Sequence, residues 1–124
     1  MLVRGLVVIV AALLALVATA SAGRWVIPPG QEALVGRMLG GALPGGCRLL
    51  GASIEKTEVR ARFDCAGSEV RLALRHPSDA PAAAARSKQL ALVATEGAAP
   101  PELVAALGER LRAEETAWRW MDEG

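Results

Sequence analysis

Residues 47–76 read CRLLGASIEKTEVRARFDCAGSEVRLALRH. Within this stretch Val59, Ala61, Phe63 and Cys65 alternate with Glu58, Arg60, Arg62 and Asp64. That is the period of a strand with one buried and one wet face. Beyond Ala66-Gly67 the alternation resumes, with Val70, Leu72, Leu74 and His76 on one side and Glu69, Arg71, Ala73 and Arg75 on the other. A tight turn at Ala66-Gly67 sets Phe63 opposite Val70 and Val59 opposite Leu74, so the apolar faces match as antiparallel pairing requires. Upstream, Cys47–Ile54 reads as a further strand, joined through Glu55-Lys56-Thr57. With Ile54 opposite Glu58, Cys47 falls opposite Cys65, Leu49 opposite Phe63, Gly51 opposite Ala61 and Arg48 opposite Asp64. One register satisfies a disulfide, an apolar pairing and a charge pair together, and such agreement across levels is the strongest evidence a single sequence offers.

Outward from this core, the elements follow their punctuation. Gln31–Ala42 carries a helical stripe of Leu34, Met38 and Ala42 with Val35 and Leu39 beside it, weakened by Gly36, Gly40 and Gly41 and stopped by Leu43-Pro44-Gly45-Gly46. Pro77-Ser78-Asp79-Ala80-Pro81 opens a loop, which the turn residues mark as exposed and mobile. Lys88–Thr95 is a fourth strand with Leu90 inward. Pro100-Pro101-Glu102 opens a long C-terminal helix whose stripe is Leu103, Leu107, Leu111, Trp118 and Met121. The expected architecture is two-layer α+β, in the order α-β-β-β-β-α: a four-stranded antiparallel meander with an N-terminal and a C-terminal helix packed on one face.

The first residues belong to export rather than to this fold. Arg4 precedes an uncharged run of 19 residues, Gly5–Gly23, ending in Ala18-Thr19-Ala20-Ser21-Ala22. A basic start, an apolar stretch and a small-residue site make residues 1–22 a signal peptide cleaved after Ala22. The same run approaches the roughly 20 residues that span a bilayer, so a retained signal anchor is the competing reading, with membrane attachment through residues 5–23 and Trp25 at the interface. Both readings make residues 23–124 a single small extracytoplasmic α+β domain, periplasmic or secreted, or tethered to the membrane. In that compartment Cys47 and Cys65 form a disulfide, contributing about 3 kcal/mol through the closed loop. Two cysteines and one histidine fall short of the four ligands of a structural zinc site. No metal or other cofactor is expected.

Charge is uneven along the chain. Residues 24–88 hold ten basic and six acidic side chains, and residues 96–124 hold three and seven. Arg48, Arg60, Arg62, Arg71 and Arg75 all fall on the sheet face away from the helices, with Glu58, Asp64 and Glu69 among them. A surplus of two arginines makes this face a candidate platform for a protein or an anionic envelope polymer, since the guanidinium fork fits carboxylates and phosphates. The competing reading is a solvated face of cross-strand pairs worth roughly 0.2–1 kcal/mol each. No aromatic residue stands on it to stack bases, and export argues against nucleic acid as partner.

Trp118 and Trp120 are a second candidate contact. Two residues apart, they cannot share one helical face, so one packs and the other is left for a partner or a membrane surface. His76-Pro77-Ser78-Asp79 brings a base, a hydroxyl and an acid together in sequence. A small exported hydrolase using His76 and Ser78 would also need an oxyanion site, and no Gly-x-Ser-x-Gly elbow is present. An inhibitor or immunity-type protein acting through the Pro77–Ser87 loop is a third possibility. The favoured expectation is a non-enzymatic exported or membrane-tethered module that binds or scaffolds an envelope component.

Overall fold

Along the chain run β1 (Trp25–Val26), α1 (Glu32–Leu39), β2 (Cys47–Ile54), β3 (Glu58–Cys65), β4 (Ser68–Arg75), a short 3-10 turn (Pro77–Asp79), β5 (Ala85–Arg86), β6 (Ala91–Glu96), α2 (Pro101–Glu114) and β7 (Met121–Asp122). This is a computed structural model, and it describes residues 24–123. Residues 1–22, expected to be a signal peptide or anchor, and the apolar run 5–23 lie outside the described residues.

The central hairpins follow the alternation in the sequence. Phe63 pairs with Val70 and Val59 with Leu74. Ala66 and Gly67 both take positive φ, 53° and 91°, the signature of the two-residue turn whose twist suits a hairpin. The Gly67 N–H is held at 3.0 Å by the Asp64 carboxylate. Cys47 pairs with Cys65, bonded as a disulfide, and Leu49 pairs with Phe63 and Arg48 with Asp64.

The hairpin end of β2 departs from the expected register. Leu50 is bulged out, and from there Gly51 pairs with Arg62, Ala52 with Ala61 and Ile54 with Val59. The connection lengthens to four residues, closed by Glu55 N–H donating to Glu58 O at 2.9 Å. The bulge inserts one residue at a sheet edge, where strands commonly kink. It keeps Ala52 and Ile54 on the same face as Leu49 and leaves Leu50 42% exposed.

The sheet has five strands rather than four, in the order β2-β3-β4-β6-β5, all antiparallel. The extra strand comes from residues expected to be loop. Ser87 makes the turn: its N–H donates to Leu90 O at 2.8 Å, and its hydroxyl accepts from the N–H groups of Gln89 and Leu90. That folds Ala85 back onto Leu92. The Pro77–Asp79 turn is tied down by Arg86, which donates to Pro77 O and Ala80 O, and Ala80 is buried. Gly97 ends β6 at φ 78°, where a Cβ would lie 2.6 Å from Glu69 O, so only glycine passes.

Both helices cover one face of this sheet. Leu34, Val35, Met38 and Leu39 from α1 and Leu103, Leu107 and Leu111 from α2 join Val59, Phe63, Val70, Leu72, Leu74, Leu90 and Leu92 in one core. Burying each such large side chain contributes about 1.5–3 kcal/mol. Where α1 ends, Arg110 of α2 donates to the carbonyl of Met38 in the last turn and to those of Gly40 and Ala42 just beyond it.

The C-terminal helix stops at Glu114 instead of running to Met121. The N–H groups of Ala117 and Trp118 both turn back to Glu114 O, and the Glu115 carboxylate accepts from Lys88 N–H at 3.0 Å. Trp118 still reaches the core, but from an extended tail. That tail then forms β7, pairing Met121 with Val26 and Asp122 with Trp25. Among the described residues, no helix is long and apolar enough to cross a membrane.

Candidate binding face

The outer face of the sheet carries the arginines that the alternation assigned to it. β3 contributes Arg60 and Arg62, β4 contributes Arg71 and Arg75, and β2 contributes Arg48 at the far corner. Among the β3 and β4 arginines lies an open groove of about 690 Å³, which Arg48 does not line. Gly51, Ala52 and Ser53 form its low wall on the β2 edge, and Thr95 and Glu96 close it on β6.

Each of the five arginines has a carboxylate partner. Arg60 and Arg75 share Glu58 at 2.9 and 3.1 Å. Arg62 and Arg71 share Glu69, Arg71 also reaches Glu96 at 3.3 Å, and Arg48 meets Asp64 at 3.4 Å. The hydrogen bond that Arg60 donates to Glu58, then the charge of Glu58 and that of Glu55, raise the Arg60 guanidinium pKa above its ordinary value. Glu58 is the most sheltered of these acids, with its side chain 15% exposed.

The expected surplus of positive charge is therefore cancelled. Glu55 and Glu96, which the strand alternation did not place on this face, raise its acids from three to five against five arginines. Glu96 arrives through the β4–β6 pairing, where it is the partner of Arg71. Carrying the strand pairing regularly past Leu74 and Leu92 would set Thr95 opposite Arg71; a register shift between Leu72 and Arg71 puts Glu96 there instead. Glu55 arrives because the lengthened β2–β3 turn folds it against Ser53, whose hydroxyl donates to it at 3.2 Å. The result is a concave ladder of alternating charge rather than a basic platform.

The tryptophan pair lies beyond the end of α2, so the helical spacing expected to divide it does not apply. Trp118 is buried in the core, and Trp120 lies half-buried against it with ring centres 5.5 Å apart. The Trp120 indole N–H donates to Gln89 O at 2.6 Å, so this ring is oriented as well as packed. Trp120 is the member of the pair that a partner could reach.

His76 stands between two of the tryptophans. Its ring stacks on Trp25 at 4.5 Å with planes 2° apart, and meets Trp120 edge-on at 5.4 Å. Nδ1 accepts the Ser78 backbone N–H at 3.2 Å and lies 2.8 Å from the Ser78 hydroxyl. In the neutral ring this leaves the proton on Nε2. Burial lowers the His76 pKa below its ordinary value, with Asp79 pulling weakly the other way. The sequence neighbours His76 and Ser78 thus do meet, and their contact serves as the cap of the Pro77–Asp79 turn. Among the described residues there is no group of three or more His, Cys, Asp or Glu side chains arranged to hold a metal ion. No protein-family model matches the chain, nor does any curated protein or solved structure.

Proposed function

We propose that this chain is an exported module, tethered to the membrane or released from it, that binds a protein through the outer face of its sheet. The export layout of the N-terminus and the Cys47–Cys65 disulfide support the compartment. The observation that carries the binding reading is the charge-balanced outer face of the sheet and the groove within it. The four arginines that line it are between 31% and 67% exposed at the side chain, and Arg48, outside it, is 74% exposed. Pairs this exposed are worth little individually, so they exchange for a partner's charges at small cost. A uniform polyanion gains little from five arginines already matched by five carboxylates. A protein strand or loop that presents both signs in register gains at each position and is discriminated from mismatched surfaces.

The test places a photo-crosslinking amino acid at Thr95 or Ser53 on the groove, and at Glu109 on α2 for comparison, in the producing cell. A discrete protein adduct from the groove positions, lost when Arg60, Arg62 and Arg71 are changed to glutamate, is the expected result. Adducts that are absent, or identical from Glu109 and unaffected by charge reversal, overturn the assignment.

A further inference from the structure

A second hollow lies where the N-terminal segment meets the domain. It measures about 320 Å³ and is lined by Arg24, Trp25, Thr57, Glu58, Arg75 and Asp79. Its walls come from β1, from the ends of β3 and β4 where that hairpin opens, and from the 3-10 turn. Two guanidiniums and two carboxylates face it beside one indole. Trp25 is fixed by its stacking on His76, which is itself held by Ser78. Arg75 is fixed by Glu58 at 3.1 Å.

Position supplies the second argument. Arg24 follows directly on the uncharged run Gly5–Gly23, with no spacer between that run and β1. When the run is held in a bilayer, the hollow lies at the level of the lipid headgroups, the depth that tryptophan favours. A headgroup that satisfies two cations, two anions and an indole carries both charges itself. Arginine suits its phosphate, while an indole with a carboxylate nearby suits its ammonium. An anionic headgroup without the ammonium leaves Glu58 and Asp79 facing like charge.

From this we infer that the hollow binds the zwitterionic headgroup of a phospholipid, with the phosphate toward Arg24 and Arg75 and the ammonium toward Trp25 and Asp79. The inference rests on the membrane-tethered form of the proposed function. It gives the domain a fixed seat on the membrane that adjoins the groove of the sheet face, the two hollows sharing Glu58 and Arg75.

The test uses the full chain in nonionic detergent micelles and follows the indole N–H resonances during titration with glycerophosphocholine, inorganic phosphate or choline alone. The Trp25 resonance, assigned through Trp25→Phe, is expected to shift saturably with glycerophosphocholine, with either half-ligand binding about tenfold or more weakly. Arg24→Gln and Asp79→Asn should each weaken the shift about tenfold. Unchanged Trp118 and Trp120 resonances in those variants report an intact fold. No saturable Trp25 shift, or equal binding of phosphate or choline alone, overturns the site. Intact mass of the chain from the membrane fraction of the producing cell tests the tether separately. A full-length mass there supports a lipid source for the headgroup, and a chain found only without its first 22 residues overturns that source whatever the titration gives.

Discussion

Arg62 and Arg71 stand directly opposite one another on β3 and β4, with the Glu69 carboxylate bridging their guanidiniums at 3.7 and 3.2 Å. Like charges directly across a ladder are unfavourable, so Glu69 holds a pair that would otherwise repel. Glu69→Gln should destabilise the domain by about 0.5–1 kcal/mol at low salt. Because these groups are exposed, the loss should shrink at high ionic strength. Urea unfolding of both proteins at low and high salt checks this, and a salt-independent difference would contradict the bridging role.

Arg110 gathers three carbonyls at and just beyond the end of α1. Arg110→Met keeps most of the side chain's packing but removes its donors to Met38, Gly40 and Ala42. Its expected cost is about 1–3 kcal/mol. Arg110→Lys should recover only part of it, because a single ammonium cannot reproduce the planar fork. Denaturation midpoints of the three proteins order them as wild type, lysine, methionine.

His76 makes stability depend on pH in a stated direction. Its pKa in the folded chain lies below the ordinary histidine value of 6.5, chiefly because burial penalises the charged ring. The unfolded chain therefore takes up a proton first as pH falls. The contribution of His76 is complete above 6.5 and is lost as pH drops toward and through the folded pKa. His76→Gln should flatten the unfolding free energy between mildly alkaline and mildly acidic pH. An unchanged slope in the variant would assign the pH dependence to other groups.

Ala66 is the non-glycine residue with positive φ, 53°, among those described. An L-residue with a Cβ is strained there, whereas Asn-Gly is the preferred pair for this turn. Ala66→Asn should stabilise the domain by about 0.5–1 kcal/mol, read as a higher unfolding midpoint with an unchanged urea slope.

These predictions separate what local pattern reveals from what tertiary contact decides. The pairings Cys47–Cys65, Leu49–Phe63 and Val59–Leu74 were legible because alternation, turn chemistry and cysteine placement all demanded them. The Leu50 bulge was not, since a bulge-free register also satisfies the cysteine end and differs only beyond Leu49. The end of α2 was hidden for another reason. Trp118 and Met121 continue the helical stripe by coincidence of spacing, while the contacts that end the helix, Glu115 with Lys88 and β7 with β1, join residues far apart in sequence. The arginine face itself was readable from period alone. Its neutrality was not, because Glu96 reaches Arg71 only through the β4–β6 pairing and Glu55 through the lengthened turn.

The β1–β7 ribbon brings residues 24 and 123 together, with Glu123 N–H donating to Arg24 O at 2.8 Å. Both strands leave this ribbon from the same end, so tension between the two ends of the domain opens it as a zipper, one hydrogen bond at a time. Beyond the ribbon, Ile27 N–H is bonded to Lys56 O at the tip of the β2–β3 hairpin, and that contact takes the load next. A pull transmitted through the N-terminal segment therefore spends itself on a two-residue splice before it reaches the disulfide-bonded sheet. Extension would proceed in two steps of unequal force, the first small and reversible, with the five-stranded sheet and its groove intact throughout it.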